Sequence, residues 1–139
     1  DVLEYGYNVR MDAVQAAVLL VKIESLTSIL DLKARISNYY KLQLEDLVEM
    51  PVWNQWCSHT HYVFPIASNR ADDIKLKLNF MDIEYSCHYE KPVNMYSAYL
   101  DTTCIKAANL AGKIISLPNH WHLKDEQVDL IAQVVKNAV

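Results

Sequence analysis

Apolar residues recur at Met11, Val14, Val18 and Val21, with Ala17 and Leu20 beside that stripe, which is the spacing of one helix face. Asp12 precedes Gln15 by the interval of a capping box, so the helix is predicted to begin there. A second helical pattern runs from Ser25 to Leu47, with Leu26, Ile29, Leu30, Ile36, Tyr40, Leu44 and Leu47 on its apolar side. Lys33, Arg35, Lys41 and Glu45 mark the wet side. The two patterns leave no room for a long loop, so a kink or short break is expected between Ile23 and Thr27. Met50-Pro51 ends the second helix, because proline disfavours helix in the residue before it.

Beyond Pro51 the periods shorten. Val52 to Ser58, with Trp53 and Trp56, reads as an irregular connection. Thr60 to Ile66 is a strand by β-branched and aromatic content, with Pro65 forcing an edge or a strand end. Asn69 to Met81 is an amphipathic helix with Ile74 and Leu78 inward and Leu76 a further inward candidate. Asp82 to His88 reads as a second strand, and Tyr89 to Asp101 as a long connection containing Lys91-Pro92. Thr102 or Thr103 caps a short helix through Ala111, which Gly112 stops. Lys113 to Leu117 is a third strand ended by Pro118, and Asp125 to Val139 a last helix with Val128, Ile131 and Val135 on one face. This order predicts a two-layer α/β (α+β) domain: a short three-stranded sheet with helices on one side, preceded by two long helices. The expected division is a helical segment over 1–50 and a small α/β domain over 51–139.

Composition narrows the function. A chain of 139 residues, 52% apolar, is long enough for one domain with a core. The net charge of -4 argues against a general nucleic-acid binder and against an anionic membrane surface. No apolar run is long enough for a spanning helix and no signal peptide opens the chain, so a cytoplasmic protein is expected. Cys57, Cys87 and Cys104 are widely spaced, with no Cys-x-x-Cys, and read as reduced thiols. Only Gly6 and Gly112 are present, too few for a phosphate-cradling loop. With no obvious element before Asp1-Val2-Leu3-Glu4-Tyr5, the chain reads either as a protein that starts abruptly or as the later part of a longer one. The pairs His59/His61 and His120/His122 have alternate spacing, but no carboxylate or cysteine at ligand spacing completes either, so no metal site is expected.

Asn8 and Arg10 lie just upstream of the first helix. An amide and a guanidinium there suit an anion, because free N–H groups and the helix dipole favour negative charge; the alternative is capping and solvation. The whole string Gly6-Tyr7-Asn8-Val9-Arg10-Met11-Asp12-Ala13-Val14-Gln15-Ala16-Ala17 closely resembles the motif that opens the C-terminal part of the DegT/DnrJ/EryC1/StrS family. These are pyridoxal-phosphate-dependent sugar aminotransferases of the aspartate aminotransferase fold. Looser motifs follow in the family's order: Tyr62-Val63-Phe64, Ile83 to His88-Tyr89, Lys91-Pro92 to Ala98-Tyr99, and Ser116-Leu117-Pro118 before Glu126-Gln127-Val128-Asp129. Where the family often carries a second histidine after its Lys-Pro, this chain has Val93-Asn94-Met95, which puts the substrate side of the pocket in question.

The resemblance implies the C-terminal small domain of the type I fold. It implies that Asn8 reaches the cofactor phosphate of the other subunit of a homodimer, and that Arg10 lies near that phosphate or the substrate diphosphate. It implies that His88 and Tyr89 face the sugar nucleotide; the other reading of His88 is a strand cap, and Lys91 reads as a solvated loop residue. The Schiff-base lysine and the carboxylate for the pyridine nitrogen come from the family's large domain, so no catalytic residue is expected in this chain. Pyridoxal 5'-phosphate would be bound mainly by that missing domain. The substrates implied are a nucleotide-linked keto-sugar and an amino donor such as glutamate. Two other readings stay open: a non-catalytic dimerisation or regulatory module of the same fold, and part of a pyridoxal-phosphate-dependent sugar dehydratase.

Overall fold

The computed structural model describes residues 11–54, 56–88, 90–99 and 104–139. Helix α1 spans Ala13–Glu24 and α2 spans Leu26–Leu44, and the pair is bent by 58° at the break at Ser25, inside the predicted interval. No single described helix is long and apolar enough to cross a membrane. Asp12 is the N-cap of α1: its carboxylate accepts from the Val14 N–H at 2.7 Å, one residue short of the capping-box position.

The apolar stripe of the two helices divides. No residue of α1 is buried, and Val14, Leu20 and Val21 are about as exposed as surface residues, at 73%, 67% and 69%. In the second half of α2, Ile36, Tyr40 and Leu44 are buried. There α2 packs on α5 (Asp125–Lys136), which buries Val128, Ile131, Ala132, Val134 and Val135. Helix α3 (Ala71–Phe80) packs on α5 and on the sheet through Ala71, Ile74 and Leu78, whereas Leu76 faces solvent.

The sheet is smaller than the three strands predicted. Strands β1 (Phe64–Ala67) and β2 (Ile114–Leu117) pair antiparallel, with Phe64 opposite Leu117 and Ile66 opposite Ile115. Those four side chains are buried together on one face, and the Phe64 ring meets Tyr40 of α2 at 5.1 Å. The predicted strand over 60–66 loses its first half because His61 lies at φ 49, outside the extended region.

The predicted strand over 82–88 shrinks to one isolated bridge, in which Ser86 exchanges N–H and C=O hydrogen bonds with Ser116 at 3.2 and 2.8 Å. In this register the next bonded pair toward the start of the segment would set Glu84 against Pro118. Proline has no N–H, and the Pro118 carbonyl already accepts from the Tyr40 hydroxyl at 3.0 Å. At the same end Asp82, at φ 54, completes the left-handed stop of α3, where Ile83 N–H donates to Leu78 O at 2.9 Å. The short helix α4 (Ile105–Leu110) runs into a turn closed by Lys113 N–H to Leu110 O at 3.1 Å. Gly112 sits at φ 75 in that turn, the position of a type II turn that glycine fills without strain.

Candidate functional site

Beside the Ser86–Ser116 bridge lies a cleft of about 1160 Å³, lined by residues 81–88, by 116–120, and by side chains of α2, α3 and α5. Its existence follows from the truncated third strand: a segment that bridges once and then diverges leaves a trough beside β2. His88 lies on this lining and is exposed. Asn8, Arg10 and Tyr89, the other predicted site residues, lie outside the described residues.

Among the described residues two lysines reach the cleft, and both are engaged. Lys33 Nζ donates to the Tyr62 carbonyl at 3.1 Å and sits 5.4 Å from the Tyr62 ring centroid. Lys75 Nζ donates to Asp72 Oδ1 at 3.0 Å and to the Gly112 carbonyl at 3.1 Å. The bond to Asp72 raises the pKa of Lys75 above the ordinary lysine value, so its amine stays protonated.

Behind the cleft is a buried polar cluster. Asn119 Nδ2 donates to Ser37 Oγ at 2.9 Å and to the His61 carbonyl at 3.0 Å. All three residues are buried, and Asn119 also lines the cleft. The His61 N–H in turn donates to His59 Nδ1 at 2.9 Å. The His61 ring stands perpendicular to Trp53 at 5.0 Å. Burial lowers the His61 pKa below its ordinary value, and the fields of His59 and Lys33 add to the effect. Asn119 Oδ1 and His61 Nδ1 are buried without a hydrogen-bond partner.

Sequence reasoning missed Lys33, Lys75 and Asn119 as cleft residues, and Ser37 as the buried partner of Asn119 behind the cleft. Ser37 and Asn119 are single polar residues 82 positions apart in the chain, and no local period joins them. His59 and His61 stand together, with ring centroids 4.6 Å apart. The lone pair of His59 Nδ1 is used by the His61 backbone, and among the described residues no three His, Cys, Asp or Glu groups are placed to hold a metal ion.

The sequence pattern of the DegT/DnrJ/EryC1/StrS aminotransferase family matches residues 2–136. A UDP-N-acetyl-3-dehydro-alpha-D-glucosamine 3-aminotransferase of Acidithiobacillus ferrooxidans is 30% identical over 143 aligned residues, covering 100% of this chain and 38% of that protein. The crystal structure of a DegT DnrJ EryC1 StrS aminotransferase from Brucella abortus superposes with a TM-score of 0.86 at 29% identity, over 99% of this chain and 38% of that one. The PLP form of Spr1654 from Streptococcus pneumoniae superposes with a TM-score of 0.81 at 22% identity, over 100% of this chain and 39% of that one, a likeness of fold. The chain thus spans under two fifths of the length of the relatives it matches.

Proposed function

The chain belongs to the DegT/DnrJ/EryC1/StrS aminotransferase family, and from that premise we propose that it is the C-terminal part of a pyridoxal-phosphate-dependent enzyme that transfers an amino group from glutamate to a nucleotide-linked keto-sugar. The match of the family pattern over nearly the whole chain, residues 2–136, carries this reading. The division into a helical segment over 1–50 and an α/β domain over 51–139 belongs to the same proposal.

Within such an enzyme this chain binds and orients rather than reacts. Bound pyridoxal phosphate supplies the electron sink for the transfer. Its anchoring lysine must present an unprotonated amine. The two lysines of the cleft are engaged elsewhere, Lys75 with Asp72 and the Gly112 carbonyl and Lys33 with the Tyr62 carbonyl, which supports a reading in which the anchoring lysine lies outside this chain. The fit is to the cofactor's phosphate instead. Asp12 takes one N–H group, that of Val14, at the start of α1, and Asn8 and Arg10 just upstream are the side-chain donors of this reading. Asn8 then contacts the phosphate across a homodimer interface, and Arg10 contacts that phosphate or the substrate diphosphate, where a planar guanidinium suits paired oxygens. His88, on the cleft lining, donates to the nucleotide diphosphate, and Tyr89 next to it contacts the sugar.

The free thiols of Cys57, Cys87 and Cys104 suit a reducing, cytoplasmic setting. The test is cofactor retention by the full-length enzyme. A hydrogen bond to a charged group contributes about 1.5–3 kcal/mol, so Asn8→Ala is expected to weaken pyridoxal phosphate binding by roughly 10- to 100-fold. Unchanged retention contradicts the phosphate role of Asn8.

A further inference from the structure

We propose that the His59–His61 turn is a proton-operated latch on the cleft wall: charging the buried imidazole of His61 releases the anchors of Asn119 and Lys33 and loosens that wall.

The turn is held by its partners, since His61 sits at φ 49, a region its backbone does not favour alone. Two successive carbonyls of the turn receive the cleft's side chains. The His61 carbonyl accepts from Asn119 at 3.0 Å, and the Tyr62 carbonyl accepts from Lys33 at 3.1 Å. The turn is itself closed by the His61 N–H bond to His59 Nδ1 at 2.9 Å. That bond needs His59 Nδ1 unprotonated, because an N–H there would meet another N–H.

Among the described residues, the ionisable groups that face His61 are cationic or become so. From α2 come Lys33 and, across Trp53, Lys41, which stands 5.6 Å from the Trp53 ring centroid. His59 faces it from its own turn. Phe64 of β1 and Asn119 bring no charge. A cation beside an indole gains some attraction, but Lys41 already occupies the Trp53 ring. The imidazolium therefore has no described carboxylate to meet, and its buried Nδ1 has no water to donate to while the residue is 8% exposed.

The sign follows from linkage. The folded state holds His61 neutral, so its pKa lies below that of the unfolded chain. Stability is then intact above about pH 6.5, the unfolded value, and is lost progressively as pH falls below it.

The test is an NMR titration of the full-length enzyme, with labelled histidine and asparagine side chains, from pH 8 to 5. The expected result is a His61 imidazole midpoint below the ordinary value of about 6.5, with the Asn119 side-chain amide signals moving at the same midpoint. The thermal midpoint of the wild type is expected to fall over this range, and His61→Gln to flatten that fall. If that variant does not fold, the wild-type titration decides. A His61 midpoint at or above the ordinary value, or an Asn119 amide indifferent to it, overturns the latch.

Discussion

The side-chain amide of Asn119 donates to the backbone carbonyl of His61 at 3.0 Å, tying the loop after β2 to the turn before β1. The same nitrogen donates to Ser37 of α2, so one buried amide joins three separate segments behind the cleft.

Replacing Asn119 by alanine leaves the Ser37 hydroxyl and the His61 carbonyl with an empty partner site. Each unsatisfied buried polar group costs about 1–3 kcal/mol. Two such groups cost about 2–6 kcal/mol, and removing the buried, unpartnered Asn119 Oδ1 offsets about 1–3 kcal/mol, so Asn119→Ala is expected to destabilise the chain by about 1–3 kcal/mol in denaturant unfolding. A loss below the precision of the measurement would show that the cluster does not tie the segments together.

Tyr40 separates packing from hydrogen bonding. Its ring is wholly buried against Phe64, and its hydroxyl donates to Pro118 O at 3.0 Å. Tyr40→Phe removes only the bond and is expected to cost about 0.5–1.5 kcal/mol. Tyr40→Ala adds a cavity and is expected to cost about 3–5 kcal/mol. Equal losses in the two variants would contradict this division.

Tyr39 is bound to Asp129 Oδ1 at 2.5 Å, and that bond raises its pKa. The folded state keeps this proton longer than the unfolded chain, so the contribution is present below about pH 10 and fades as pH rises further. In an absorbance titration Tyr39 is expected to ionise above the ordinary tyrosine value of about 10, and Asp129→Asn to bring it back toward that value. No change on that substitution would remove Asp129 as the cause.

Helix α1 presents Val14, Val18, Leu20 and Val21 to solvent on several sides. A helix apolar nearly all round is a helix made to be covered. The isolated chain is expected to self-associate in sedimentation, and Val18→Glu with Leu20→Lys to shift it toward monomer. A clean monomer at high concentration would contradict the expectation.

Much of the helical layer was legible because it rests on local periods. Ile74 and Leu78 are buried as their spacing predicts, and the break at Ser25 falls where the two patterns leave no loop. What was not legible depends on partners distant in the chain. The segment over 82–88 has strand composition, but the residue opposite Glu84 is Pro118, so one bridge forms instead of a ladder. His61 looks like a strand residue, yet contacts from Asn119, His59 and Trp53 hold it in a left-handed turn. Leu76 lies two residues from each of the buried positions Ile74 and Leu78, which puts it on the opposite face of α3, where it is exposed. The roles proposed for Asn8 and Arg10 come from a motif, not from a period.

The central claim is that this chain supplies supporting contacts and the rest of its enzyme supplies the reacting lysine. It is tested most directly by adding pyridoxal phosphate, reducing with borohydride and measuring intact mass. The 139-residue chain is expected to take up no stoichiometric label, and the full-length polypeptide to take up one cofactor on a lysine outside this segment. One equivalent of label on a lysine within residues 1–139 would contradict the account.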